Sequence, residues 1–233
     1  ATERLAPLGI TVHEVAADEL CDAAGQADVV LAETPTNPGL DVVDLRRLAD
    51  ICHRRGGRLV VGDTPAPPCG QQPLSLGADL VLASATKSLA GHSDLLAGYA
   101  AGSHPDLMAA VEAERVLSGA ILGAFETWLL LRSLTTFGLR FERQCQNATA
   151  LAAALRGHRN VRTVRYPGLP GDAAHPVAAA QMRRFGGLVA VELADADAVH
   201  ALVGRSELLV AATSFGGIHT SVDRRARWGD DVA

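Results

Sequence analysis

Short apolar runs recur at Asp28 to Ala32, Arg58 to Val61 and Asp79 to Ala83, each closed by polar or turn-forming residues. Runs apolar throughout and joined by a helix predict a parallel sheet covered on both faces. Between the first two, Leu45, Leu48, Ala49 and Cys52 repeat at helical spacing. Asp41 offers an N-cap with Asp44 three positions on, and Gly56-Gly57 stops the helix behind the basic residues His53 to Arg55. Upstream, Ile10 to Val15 reads as a strand and Asp18 to Ala24 as a short helix.

From Pro105 the period changes. One helix is expected to Leu117 and a longer one from Gly123 to Arg156, with Gly138 a point where it bends. Shorter units follow: strand Val161 to Val164, helix Pro176 to Arg184, strand Leu188 to Leu193, helix Asp195 to Val203 and strand Leu208 to Ala211. The pattern predicts an α/β fold: a mostly parallel sheet with helices on both faces, then a smaller C-terminal α/β domain. The expected division is residues 1–125 and 126–233, with the long helix connecting the two.

Composition narrows the function classes. A chain of 233 residues buries roughly 70% of its unfolded surface. With 48% hydrophobic but only 4% aromatic residues, its core is built largely from Ala, Val and Leu. A net charge of -5 argues against a nucleic-acid partner, which requires a broad basic surface. Cys21, Cys52, Cys69 and Cys145 lack any Cys-x-x-Cys pair, and His158, His175 and His200 lack ligand spacing, so no metal is expected. No run approaches the ~18 apolar residues of a membrane span, and the start carries no apolar signal region. A cytoplasmic protein with reduced thiols is the expectation.

Candidate chemistry sits at the ends of the three strands. Asp79 to Asp94 runs an apolar strand into Ser84, Thr86, Lys87 and a glycine turn. If the segment stays extended through Lys87, Ser84 and Thr86 share one face and Lys87 takes the other. Two hydroxyls then grip an anion while the amine reaches a carbonyl carbon of the same ligand. Pyridoxal phosphate carries both groups, and a lysine Schiff base is how proteins hold it. Asp63, after the second strand, suits the pyridine nitrogen, and Asn37, after the first, suits the phenolic oxygen. Each has a plainer reading, Asp63 as a cap and Asn37 as a turn residue before Pro38. Their succession at three strand ends, where open α/β sheets bind ligands, favours the cofactor. His92, Ser93 and Asp94 are too close in sequence to form a hydrolytic triad, and His92 and Asp94 are expected to fix the turn after Lys87.

Eight blocks carry a resemblance: Glu33-Thr-Pro-Thr-Asn-Pro38, Val61-Gly-Asp63-Thr, Ser84-Ala-Thr-Lys87 with Gly91-His-Ser-Asp94, Trp128 to Thr136, Asn147-Ala, Tyr166-Pro-Gly-Leu169, Phe185-Gly-Gly187 and Ser214-Phe-Gly-Gly217. In them the chain resembles the trans-sulfuration enzymes of cysteine and methionine metabolism, pyridoxal-phosphate enzymes of fold type I. The resemblance implies that Lys87 forms the Schiff base and then removes the substrate α proton. It implies that Asp63 faces the ring nitrogen, Ser84 and Thr86 bind phosphate, Asn37 lies near the ring oxygen and Ser214 lies near the substrate carboxylate.

The resemblance also implies a homo-oligomer, a homotetramer built as a dimer of dimers. It further implies that the family's phosphate loop and ring-stacking tyrosine lie upstream of this chain, and its carboxylate-clamping arginine downstream. Ser88 and His219 depart from the family pattern at positions that bear on β against γ cleavage. The leading expectation is cystathionine γ-lyase activity, an α,γ-elimination. The alternatives are cystathionine γ-synthase, cystathionine β-lyase or methionine γ-lyase activity, another fold-type I reaction, or a truncated, non-catalytic chain.

Overall fold

The computed structural model of the protein describes residues 5–228. Strands β1 (Val29–Glu33), β2 (Arg58–Gly62), β3 (Leu80–Ser84) and β4 (Gly98–Gly102) form one sheet in that order. The first three are parallel and β4 is antiparallel to β3. The apolar runs therefore do pair as parallel neighbours, with Ala32 opposite Val61 and Val61 opposite Val81. The sequence Gly-Tyr-Ala-Ala-Gly of β4 has little strand propensity; pairing along the edge of β3 makes it a strand.

Helix α1 (Leu20–Ala24) and helix α2 (Leu45–His53) cover one face. Leu45, Leu48 and Cys52 pack there with Val30, Leu59, Val61, Leu76 and Val81 in a single buried cluster. On the other face, helix α3 (Pro105–Ser118) brings Met108 against Gly102 beside Leu80. Val29, Leu31 and Leu82 on that face are 59%, 67% and 38% exposed, so full cover on both faces is not reached among the described residues.

Two further expectations change. Ile10 to Val15 forms no strand, and Ile10 and Val15 lie exposed on the surface. The cap of α2 is Asp44, whose carboxylate accepts from the Arg47 N–H, while Asp41 accepts from Thr36 and pairs with Arg165. The long helix α4 (Ala124–Leu155) runs through Gly138 unbroken. Its buried residues Phe137, Phe141 and Cys145 pack with Ala85 and Leu89 near the β3 end, and Ala148 and Ala152 pack with Tyr166 and Leu169.

Beyond α4, β5 (Val161–Arg165) pairs antiparallel with β6 (Ala190–Leu193), and β7 (Leu209–Ala211) pairs parallel with β8 (Thr220–Val222). Helix α5 (His175–Gln181) stops three residues short of expectation, because the chain turns back and the Arg183 N–H donates to Gly70 O. Helix α6 (Ala196–Arg205) is capped by Asp195. Among the described residues no helix is long and apolar enough to cross a membrane.

Asp79 anchors the start of β3. Its carboxylate is 1% exposed and accepts from the Leu59 N–H (2.7 Å), Arg58 (2.8 Å) and His53 (3.0 Å), with His104 Nε2 3.0 Å from Oδ1. Burial alone would raise its pKa, but the hydrogen bonds from Leu59, His53 and Arg58 outweigh it and hold the group at about 2. A depressed carboxylate contributes stability above its unfolded value of about 3.9, lost as pH falls through the folded value. Asp79→Asn is accordingly expected to cost about 2–3 kcal/mol at pH 7. The deficit in urea midpoint should shrink toward pH 2, and a deficit of the same size at both ends would sink this account.

Candidate active site

The three parallel strands end side by side, and short hydrogen bonds stitch their exits together. The Thr34 N–H donates to Gly62 O at 3.2 Å, the Asp63 N–H to Leu82 O at 3.0 Å and the Ser84 N–H to Thr64 Oγ1 at 3.0 Å. The polar groups after β1, β2 and β3 thus lie along one edge of the sheet. Asn37 is partly buried in the loop after β1, which is closed by the Thr36 N–H to Asp41 O bond at 2.9 Å.

The backbone leaves β3 at Ser84 and turns, which overrides the alternation argument for residues 84 to 87. The Lys87 N–H approaches Ser84 O at 3.4 Å, and the Ala90 and Gly91 N–H groups donate to Ala85 O and Lys87 O. Thr86 Oγ1 donates to Ala97 O (3.2 Å) and accepts from the Ala97 N–H (2.9 Å), tying the turn to the approach of β4. His92 Nδ1 lies 2.6 Å from Ala90 O, so it shapes this turn as expected.

Lys87 Nζ donates to Ser214 Oγ at 2.8 Å and lies 5.1 Å from the centre of the Phe215 ring. Partial burial lowers its pKa, which enlarges the share of free amine. The loop carrying Ser214 approaches closely: a Cβ on Gly216, whose φ is +82°, would stand 2.6 Å from Ser88 N and 3.0 Å from Lys87 C. Only glycine fits there. Gln144, on α4, holds the loop from the other side by donating to Gly216 O and Gly217 O, both at 3.1 Å. Ser88 is buried beneath Gly216, whereas His219 is exposed.

Arg140, also on α4, braces the turn after Lys87. It donates to Ser88 O (2.9 Å), Leu89 O (2.8 Å) and Ser133 O (3.0 Å). Gly91 is a glycine for this reason, since a Cβ would collide with the guanidinium. Neither Arg140 nor Gln144 carries a local sequence signal, because helical spacing does not distinguish them from surface positions of α4. Their tertiary contacts identify them.

Asp63 is 1% exposed. Its Oδ1 accepts from Gln71 Nε2 at 3.2 Å, and its Oδ2 is buried without a hydrogen-bond partner. Burial pushes its pKa up to about 9, with the Gln71 bond acting in the opposite direction. A buried carboxyl with one oxygen bare is a costly arrangement that a cationic N–H donor would relieve.

Residues 4–227 match the family described as Cys/Met metabolism PLP-dependent enzyme. The chain is 45% identical over 215 residues to a Streptomyces coelicolor protein named "Putative cystathionine gamma-lyase", covering 92% of this chain and 55% of that protein. It is 38% identical over 198 residues to the cystathionine gamma-lyase of Bacillus subtilis, covering 85% of this chain and 52% of that one. Its fold superposes with a TM-score of 0.92 on apo CalE6, a methionine gamma lyase from Micromonospora echinospora, at 39% identity, covering 97% of this chain and 64% of that one. The chain spans about half the length of the curated relatives it matches. The α/β architecture is that of fold type I pyridoxal-phosphate enzymes, and with the match running through nearly all of the sequence, the chain belongs to the Cys/Met metabolism PLP-dependent enzyme family.

Proposed function

We propose that this chain forms the lysine-bearing part of a cytoplasmic, homo-oligomeric pyridoxal-phosphate lyase that cleaves cystathionine by α,γ-elimination. In this reading residues 1–125 belong to the cofactor-binding domain, and residues 126–233 comprise the connecting helix and part of a second domain. The oligomer is a homotetramer, a dimer of dimers. The observation that carries the reading is the pairing of Lys87 Nζ with Ser214 Oγ, brought together from 127 positions apart, on the sheet edge that also holds Asp63.

The residues present fit the cofactor. Asp63 Oδ2 lacks a partner of the kind a pyridine nitrogen provides, and Lys87 is a partly buried amine with lowered pKa. Pyridoxal phosphate supplies an aldehyde for that amine and a protonated ring that accepts the electron pair left at the substrate α carbon. Asp63 holds the ring nitrogen's proton. Asn37 donates to the ring oxygen, and Ser84 and Thr86 donate to phosphate, Thr86 by exchanging its 3.2 Å bond with Ala97 O. Lys87 Nζ, once released from the cofactor, takes the proton from the substrate α carbon. Before that transfer, as substrate enters, Ser214 would exchange its bond to Lys87 for the substrate carboxylate. His219, on the exposed side of the same loop, bears on the choice between β and γ cleavage, and Ser88 affects it only indirectly, through its packing beneath Gly216.

The reaction is tested by incubating the full-length protein with cystathionine, with and without a keto-acid acceptor. Cysteine, 2-oxobutyrate and ammonia are expected without acceptor. Homocysteine and pyruvate as products, or strict dependence on the acceptor, would overturn α,γ-elimination in favour of β cleavage or aminotransfer. A protein that takes up no cofactor would overturn the enzymatic reading altogether.

A further inference from the structure

Asp63 has one side-chain hydrogen bond, and the donor is itself locked in orientation. Gln71, 1% exposed, uses both amide protons: Nε2 donates to Asp63 Oδ1 and to Thr34 O, each at 3.2 Å. Its Oε1 accepts from Gln181 Nε2 at 2.9 Å. Gln181, the last residue of α5, donates its other proton to Val43 O (2.8 Å) and accepts the Leu45 N–H on Oε1 (3.2 Å). Turning either amide over would set oxygen against oxygen, Gln71 Oε1 against Thr34 O and Asp63, or Gln181 Oε1 against Val43 O. Backbone groups at the end of β1 and the start of α2 therefore decide which amide atom meets the carboxyl.

We propose that Gln71 and Gln181 are positioning residues that make Asp63 a one-sided carboxyl, with Oδ1 committed as an acceptor and Oδ2 alone carrying the proton shared with the cofactor ring. The inference rests on the reading of Asp63 as the ring-nitrogen partner. A donor on Oδ1 favours the charged carboxylate, so the relay biases the shared proton toward the ring nitrogen. It also ties that bias to the seating of α5, 110 positions beyond Gln71 in sequence. Removing the donor makes Asp63 hold the proton more tightly and draws it off the ring.

The test uses full-length protein loaded with pyridoxal phosphate labelled with 15N in the ring. The ring-nitrogen chemical shift and the cofactor Kd are measured for the parent, Gln71→Met, Gln181→Met and the double variant. Methionine keeps the length of glutamine without its amide. Gln71→Met is expected to move the shift toward neutral pyridine and to weaken cofactor binding roughly tenfold. Gln181→Met, which does not touch Asp63, is expected to move the shift the same way by less, and the double variant is expected to match Gln71→Met alone.

An unmoved shift in either single variant, or additive single effects, overturns the proposal. If Gln71→Met does not fold, the partly buried Gln181 decides: a purely structural role lowers the melting temperature and leaves the ring nitrogen unmoved. A parent that binds no cofactor overturns the functional reading and this inference together. A loaded parent with unmoved variants overturns this inference alone.

Discussion

Lys87→Ala is expected to lower turnover by about 10³-fold or more, with part of it restored by an added primary amine. In the proposed reaction two tasks fall on the one amine, holding the cofactor and accepting the α proton, and among the described residues no neighbouring group is placed to inherit either. Ser214 Oγ, which contacts Nζ, is a hydroxyl that forms no Schiff base and is a far weaker base. Lys87 is moreover the only lysine in residues 1–233, the remaining basic side chains of that type being arginine. Borohydride treatment of the cofactor-loaded parent should therefore fix the cofactor's mass on the peptide containing Lys87, and none should appear on residues 1–233 of the variant. A variant that keeps turnover, or parent protein labelled elsewhere, would sink the assignment of the reactive amine.

Asp63→Asn is expected to change activity and stability in opposite directions. Loss of the carboxylate that keeps the ring nitrogen protonated should reduce kcat by about 10²–10³-fold, with KM little altered. In the cofactor-free protein the same group is a liability. Burial raises its pKa to about 9, so between its unfolded value of about 3.9 and that pH the folded state binds more protons than the unfolded one. Its contribution to stability is therefore greatest at low pH and is lost progressively as pH rises through the folded value. Asparagine has no charge to bury, so the melting temperature of the variant relative to the parent should rise steadily from pH 5 to pH 9. Calorimetry across that range checks the slope; a flat difference would mean that Asp63 is not a buried acid. Bound cofactor should erase the advantage, because the ring nitrogen supplies the partner that Oδ2 lacks.

Much of this site is written locally. The apolar runs ending at Ala32, Val61 and Ala83 specify three strands, and the parallel order follows from the helix and loops that join them. A group after each strand then has one edge of the sheet to occupy, so Asn37, Asp63 and Lys87 were readable as a set before any contact was known. Ser214 was not readable in that way. It stands in a surface loop with no periodicity to mark it, and only the resemblance in the Ser-Phe-Gly-Gly block singled it out. The strand expected over Ile10 to Val15 shows the opposite failure: β propensity was present, but the segment pairs with no strand of the sheet, and propensity without a paired neighbour does not make a strand.

The sequence by itself determined which polar groups close each strand and on which edge of a sheet they stand, because alternation, turns and strand ends act over a few residues. Tertiary structure alone decided how those residues are held. The brace of Arg140, the Gln144 grip on the Ser214 loop and the amide chain from Gln181 to Asp63 all join segments dozens of positions apart. Side-chain hydrogen bonds of this kind depend on distances of about 3 Å between groups that only the packed backbone brings together.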